Sequence, residues 1–128
     1  MYTSTWRYAR ISPRKARLLS DLIRGKSAQE ALSVLSFSKK RAAIMVAKVL
    51  KTAIANADDK GADVSDLYVT QSYCDGGPII KRFMPKDRGK SYAIMKRTSH
   101  ITVSVDEGAA RVKEAQAKKK RSKAAKAA

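Results

Sequence analysis

The side chains able to act as nucleophiles, bases or metal ligands are few in this sequence and poorly arranged for catalysis. Ser99 and His100 are adjacent, which invites a hydrolytic reading. A triad, however, needs a base oriented by an acid and aimed at the hydroxyl. The surrounding residues alternate with a period of two, so Ser99 and His100 fall on opposite faces of a strand. A contact to a partner or strand-end packing explains them better. Cys74 is the single cysteine and His100 the single histidine, too few for an internal disulfide or a structural zinc site, and Cys74 reads as a small strand residue. Carboxylates cluster between Asp58 and Asp75, and no glycine-rich phosphate loop follows a strand. No catalytic residue, metal or cofactor is expected.

Cations are what the chain has in excess. Among its 128 residues, 28 Lys and Arg face 11 Asp and Glu, a formal net charge of +17. Such a field repels itself in free solution and is best explained by a polyanionic partner. Nucleic acid comes first, because each neutralised phosphate releases condensed counterions. An anionic membrane is the weaker alternative. No uncharged stretch approaches the roughly 20 residues that span a bilayer. Arg7, Arg10, Arg14, Lys15 and Arg17 crowd the beginning of the chain, unlike a signal peptide. A cytoplasmic protein without a membrane partner is expected.

The elements that must position these cations follow from pattern. Residues 1–108 read as one domain, and 109–128 as a Lys/Ala-rich tail with no bulky apolar residue to bury, disordered or a frayed helix. Thr3 to Arg10 suits a short strand. Ser12-Pro13 opens a first helix with Ala16, Leu19, Leu22 and Ile23 on one face and Arg14, Arg17 and Arg24 on the other, stopped by Gly25. Ser27 and Glu30 form a capping box for a short second helix carrying Ala31, Leu32 and Leu35. A third helix is expected from Ser38 to about Ala57, with Ala43, Val46, Ala47, Leu50, Ala53, Ile54 and Ala57 buried and Arg41, Lys48 and Lys51 opposite.

After an acidic loop from Asp58 to Asp66 the period changes to two. Leu67, Val69, Gln71 and Tyr73 are expected on one face of a strand, and Ile101, Val103 and Val105 on one face of its return partner. About 25 residues separate the inner ends, far more than the 2–5 of an ordinary hairpin loop. Pro85 and Gly89 mark the turn, so the ribbon continues outwards from about residue 76 to 100, roughly ten residues a side and about 30 Å long. A bare ribbon of that length is unstable in water. Its cations, Lys81, Arg82, Lys86, Arg88, Lys90, Lys96 and Arg97, against Asp87 alone, suggest that nucleic acid clamps it.

The runs Ile11-Ser12-Pro13-Arg14-Lys15-Ala16-Arg17-Leu18, Asp21-Leu22-Ile23-Arg24-Gly25-Lys26 and Ala53-Ile54-Ala55-Asn56-Ala57 carry a resemblance. So do Gly77-Pro78, Lys81-Arg82-Phe83-Met84-Pro85, Arg88-Gly89 and, most diagnostic, Lys96-Arg97-Thr98-Ser99-His100-Ile101-Thr102-Val103. In order and spacing they resemble the bacterial large-subunit ribosomal protein twenty-two family over about residues 4 to 106. The resemblance implies an α+β fold: a three-helix body packed on a small antiparallel sheet, with a long protruding β-hairpin and here a basic C-terminal tail. It implies a structural protein of the large ribosomal subunit that binds 23S-type rRNA and supports subunit assembly. The implied hairpin helps line the nascent-peptide exit tunnel. Implied partners are large-subunit rRNA, neighbouring large-subunit proteins and the nascent peptide, with no self-oligomer.

Charge and resemblance together assign rRNA contacts to Arg7, Arg10, Arg14, Lys15, Arg17, Arg41, Lys48, Lys51, Lys81, Arg82, Lys96, Arg97, Thr98, Ser99 and His100. A tunnel-facing tip is assigned to Phe83, Met84, Pro85, Lys86, Asp87, Arg88, Gly89 and Lys90. The sequence departs from the family at this tip, where Asp87 and Ser91 replace small apolar residues and Lys90 replaces a common arginine. For the helix cations the competing reading is a solvated face. The competing function is a DNA-architectural protein that inserts a basic ribbon into a groove. That protein would need a spare apolar stripe for dimerisation, and none is left over. An RNA-modifying enzyme would need a cofactor loop or paired acids in a pocket.

Overall fold

A computed structural model describes residues 1–108; the expected tail, 109–128, lies outside the described residues. The order of elements is β1 (Tyr2–Ala9), α1 (Pro13–Ile23), α2 (Ala28–Phe37), α3 (Arg41–Asp58), β2 (Leu67–Pro85) and β3 (Ser91–Glu107). The strands form one antiparallel sheet in the order β1-β3-β2. All three helices lie against it, which makes the fold α+β as expected.

Helix α1 begins with Pro13 after an extended Ser12, and Gly25, at φ 77°, turns the chain away after its end. Its buried residues are Ala16, Leu19, Ser20 and Ile23. Leu22, expected among them, is exposed. At about 100° per residue it stands roughly a quarter turn from the centre of the stripe, where Ser20 fits better. Ser27 Oγ accepts a hydrogen bond from Glu30 N–H, so the cap of α2 forms as expected. The third helix starts at Arg41 rather than Ser38, because Ser38 closes α2 by donating its N–H to Leu35 O. Ala42, Ala43, Val46, Val49, Leu50, Ala53 and Ala57 are buried on α3, while Ala47 and Ile54 are only partly covered. Four alanines in that stripe let α3 lie close to the central strand, where Ile101, Val103 and Val105 are fully buried.

Two irregularities shape β2. Val69 pairs with Val105 but Gln71 with Ser104, so Thr70 is an extra residue in the ladder. A bulge of one residue exchanges the faces of everything after it. The expected face of Leu67, Val69, Gln71 and Tyr73 is therefore corrected: Leu67 and Val69 point to the helices, then Ser72 and Cys74 do, while Gln71 and Tyr73 are exposed. A second extra residue lies between Gly76, opposite Ser99, and Ile79, opposite Arg97. There Thr98 Oγ1 donates to Pro78 O at 2.6 Å, and a Cβ on Gly77 would meet Thr98 Oγ1 at 2.5 Å. Only glycine fits this contact without movement. Beyond it the paired arm runs from Ile79 opposite Arg97 to Pro85 opposite Ser91.

As an edge strand, β2 would offer bare backbone groups to a foreign strand. Within the body they are covered. Gly25 N–H donates to Val69 O and Val69 N–H to Lys26 O, each at 2.9 Å. Arg24 Nη2 donates to Ser72 O and Arg17 Nε to Cys74 O. Both guanidiniums thus clasp α1 to the strand edge. Arg17→Ala is expected to lower unfolding free energy by about 1 kcal/mol, a thermal shift of roughly 4–8 °C. Arg14→Ala, with no such bond, should leave the midpoint in place. Thermal melts of the two variants test the difference.

Candidate nucleic-acid interface

The expected RNA-binding cations lie on two exposed surfaces and the arm. Arg7 and Arg10 sit at the end of β1, and Arg14, Lys15 and Arg17 on the first turns of α1. This end of α1 abuts the root of the arm, since a Cβ on Gly76 would lie 3.9 Å from Pro13 Cγ. Arg41, Lys48 and Lys51 form a separate surface on α3. Lys48 and Lys51 border an open groove of about 680 Å³ between α2 and α3, and the Lys48 ammonium stands 5.9 Å from the Trp6 ring centre. Among the described residues the cations that pair with side-chain carboxylates are the Met1 ammonium, Arg24 and Lys26, so every one of these candidate cations is left without an acid partner. Arg17 is exposed, yet its Nε is committed to the backbone of β2.

The arm carries charge and apolar surface on both faces. Because directly paired residues share a face, one face holds Ile79 with Arg97, Lys81 with Met95, and Phe83 with Ala93. The opposite face holds Ile80 with Lys96, Arg82 with Ile94, and Met84 with Tyr92. Phe83 is 76% exposed and Tyr92 56%. Nothing in the described chain covers these side chains, which have the mixed cationic and apolar character of an arm enclosed by another molecule. The tip closes as Lys86 N–H donates to Lys90 O at 2.7 Å, with Asp87 to Gly89 as a single tight turn. Arg88 and Gly89 both take left-handed backbone conformations, at φ 53° and 75°. The turn points Pro85 and Gly89 were legible; the left-handed arginine was not.

Three expected contact residues at the root of the arm behave differently from the rest. Thr98 and Ser99 are buried, Thr98 holding Pro78 and Ser99 lying beside Cys74 without a standard hydrogen bond of its own. Ser99 shares the helix-facing side of the central strand with Ile101 and Val103, and Thr98 is enclosed against Gly77 and Pro78. His100 is half-buried, on the sheet face away from the helices, and its Nδ1 accepts the Tyr8 N–H at 3.0 Å. That bond places the ring proton on Nε2, which remains a donor. Burial pushes the Cys74 thiol up, outweighing the opposing effects of the Ser99 hydroxyl and the Arg17 charge, so it is a neutral thiol and a poor nucleophile.

A small helix-backed sheet that extends into an exposed, cationic two-stranded arm has the form of a structural component of a larger assembly. The particular lineage is given by sequence comparison. The chain belongs to the ribosomal protein L22p/L17e family, whose profile matches residues 4–106. Large ribosomal subunit protein uL22 of Clostridium novyi (strain NT) is 49% identical to it over 104 residues, 80% of this chain and 94% of that relative.

Proposed function

We propose that the chain is a structural protein of the large ribosomal subunit that binds large-subunit rRNA, supports assembly, and sends its β2-β3 arm into the wall of the nascent-peptide exit tunnel. The structural role and the ribosomal, cytoplasmic location follow from family membership. For RNA binding, the observation that carries the reading is the arm itself, cationic and apolar on both faces and covered by nothing in the described chain. Lys and Arg meet phosphates, which fixes position without reading sequence. The tip residues Phe83 to Lys90 would then face the tunnel, where side chains meet RNA or the nascent peptide. Neighbouring large-subunit proteins complete the partner set. No bond is made or broken in this role, and the chain is not an enzyme in this reading.

Sucrose-gradient fractionation after a high-salt wash tests the reading. The protein should stay with the large subunit; release into the soluble fractions, or recovery with DNA, contradicts it. The root cations give a finer test. Arg14→Ala with Lys15→Ala should weaken binding to large-subunit rRNA and reduce the salt slope by about 0.7–0.9 for each phosphate no longer neutralised. These two residues are preferable to Arg17, whose loss would also unclasp β2. An unchanged slope would mean that this helix face is only solvated.

A further inference from the structure

We propose that the sheet face turned away from the helices holds a pocket for one unstacked RNA base, guanine by its donor pattern, walled by Tyr8 and Tyr73 and read by Asp75. The proposal rests on the rRNA-binding reading and adds a site to it.

The pocket is an open hollow of about 440 Å³, where Arg7, Tyr8, Tyr73, Asp75 and His100 surround a floor of Thr5 and Thr102. Sheet pairing explains the arrangement. Thr102 stands between Thr5 and Tyr73, and one step along the central strand on the same face His100 stands opposite Asp75. Tyr73 reaches this face only because the bulge at Thr70 turned it outwards. The Thr5 and Thr102 hydroxyls bond each other at 3.2 Å, which leaves one hydroxyl hydrogen on this floor free to donate.

Tyr8 is the unusual wall. It adopts φ 58°, a conformation that bulky L-residues avoid, within the irregularity between Trp6 and Ala9 of β1. The surroundings hold it there: His100 Nδ1 accepts its N–H, and the two rings meet edge to face with centroids 5.0 Å apart. Strain of this kind persists only where neighbours enforce it, and it collects at binding sites. Its result is a phenol ring 61% exposed, with Tyr73 44% exposed on the other side of the hollow.

The chemistry of the pocket selects its occupant. Aromatic walls offer stacking, the means by which proteins hold splayed-out RNA bases. Arg7 provides a cation for the attached phosphate. Asp75 is the informative group. On a chain of net charge +17 it pairs with no cation among the described residues, although Arg7 lines the same hollow. A carboxylate facing RNA is repelled by phosphate, but it accepts from base N–H groups. Guanine alone sets two such donors side by side, N1–H and the N2 amino group.

The test uses the full chain and large-subunit rRNA, with affinity measured across a salt series. Tyr8→Ala and Tyr73→Ala should each weaken binding by about 5- to 150-fold, the range for one stacked base. The salt slope should stay unchanged, because the same phosphates remain neutralised. Tyr73→Phe should bind like the unaltered chain. Tyr8→Gly separates folding from binding: glycine accepts the left-handed backbone freely, so the body should remain folded in a thermal melt while affinity falls. Asp75→Asn gives opposite signs for the two readings. Removing a negative charge near RNA should tighten binding if the carboxylate merely repels, and weaken it if it accepts from a base. Tighter binding by Asp75→Asn, or tyrosine variants within twofold of the unaltered chain, would overturn the pocket while leaving the rRNA-binding reading intact. Absence of binding by the unaltered chain would remove both.

Discussion

Deleting Lys81, Arg82 and Phe83 should leave the body folded and the large subunit assembled, yet change how the tunnel responds to what occupies it. The three residues pair with Met95, Ile94 and Ala93 in the outer half of the arm. Their loss removes an odd number from one strand. Met84 and Pro85 are then turned to the opposite face, and the partner strand is left with surplus residues. None of the buried positions on α1, α3 or the body of β3 lies in this segment. The thermal midpoint should therefore stay within about 4 °C of the full chain, the scale of a surface change. Incorporation into large subunits should continue, since the root cations and the α3 cations are retained. Macrolide sensitivity or peptide stalling should shift several-fold. Normal incorporation with unaltered sensitivity and stalling would count against a tunnel-facing tip.

The substitution Gly77→Ala should be among the most damaging single-atom additions in the arm. The new methyl would lie 2.5 Å from Thr98 Oγ1 and 3.3 Å from the carbonyl carbon and oxygen of Thr98. Relief requires Thr98 to give up its bond to Pro78 O and the two strands to separate at the root. A cost of about 1–3 kcal/mol is expected, as for other forced overpacking. In a domain of this size each kcal/mol lowers the midpoint by roughly 4–8 °C. Thr98→Ala alone should cost about 1 kcal/mol, the worth of an ordinary hydrogen bond. Because the side-chain clash and the bond share one atom, the double variant should be more stable than the sum of the two single effects implies. Strict additivity would show that Gly77 is not held by Thr98.

How much of this was legible depended on whether one periodicity ran unbroken. The α1 and α3 stripes, the Ser27 cap and the left-handed Gly25 follow from 3.6-residue spacing and local chemistry, and they appear as expected apart from the exposed Leu22, the partly covered Ala47 and Ile54, the buried Val49 and the first residues of α3. The arm was legible from loop length and from Pro85 and Gly89. The bulges were not. Thr70 resembles any strand threonine, and nothing local announces that Gln71 and Tyr73 will change faces there. The burial of Ser99 depends on the helices packing over β3 as the central strand, and that of Thr98 on the extra residue at Gly77-Pro78, neither of which alternation alone fixes. The cations were easy to find but not to sort. An arginine on an outward helix face looks the same in sequence whether it awaits phosphate, as Arg14 does in this reading, or grips a neighbouring strand, as Arg17 does.

The clasp on the β2 edge ends at Cys74, and this boundary has a consequence for the protein before it meets RNA. From Ile79 outwards the ribbon has two open edges and exposed Phe83, Ile94 and Met95, the ingredients of strand-to-strand self-association. Lysine and arginine at intervals along it act as gatekeepers, since stacked copies would bring like charges together at every rung. That protection weakens as salt screens the charges. Chains whose arms are left uncovered should therefore aggregate through the arm as ionic strength rises, and an arm enclosed by a partner is the condition under which this fold stays safe.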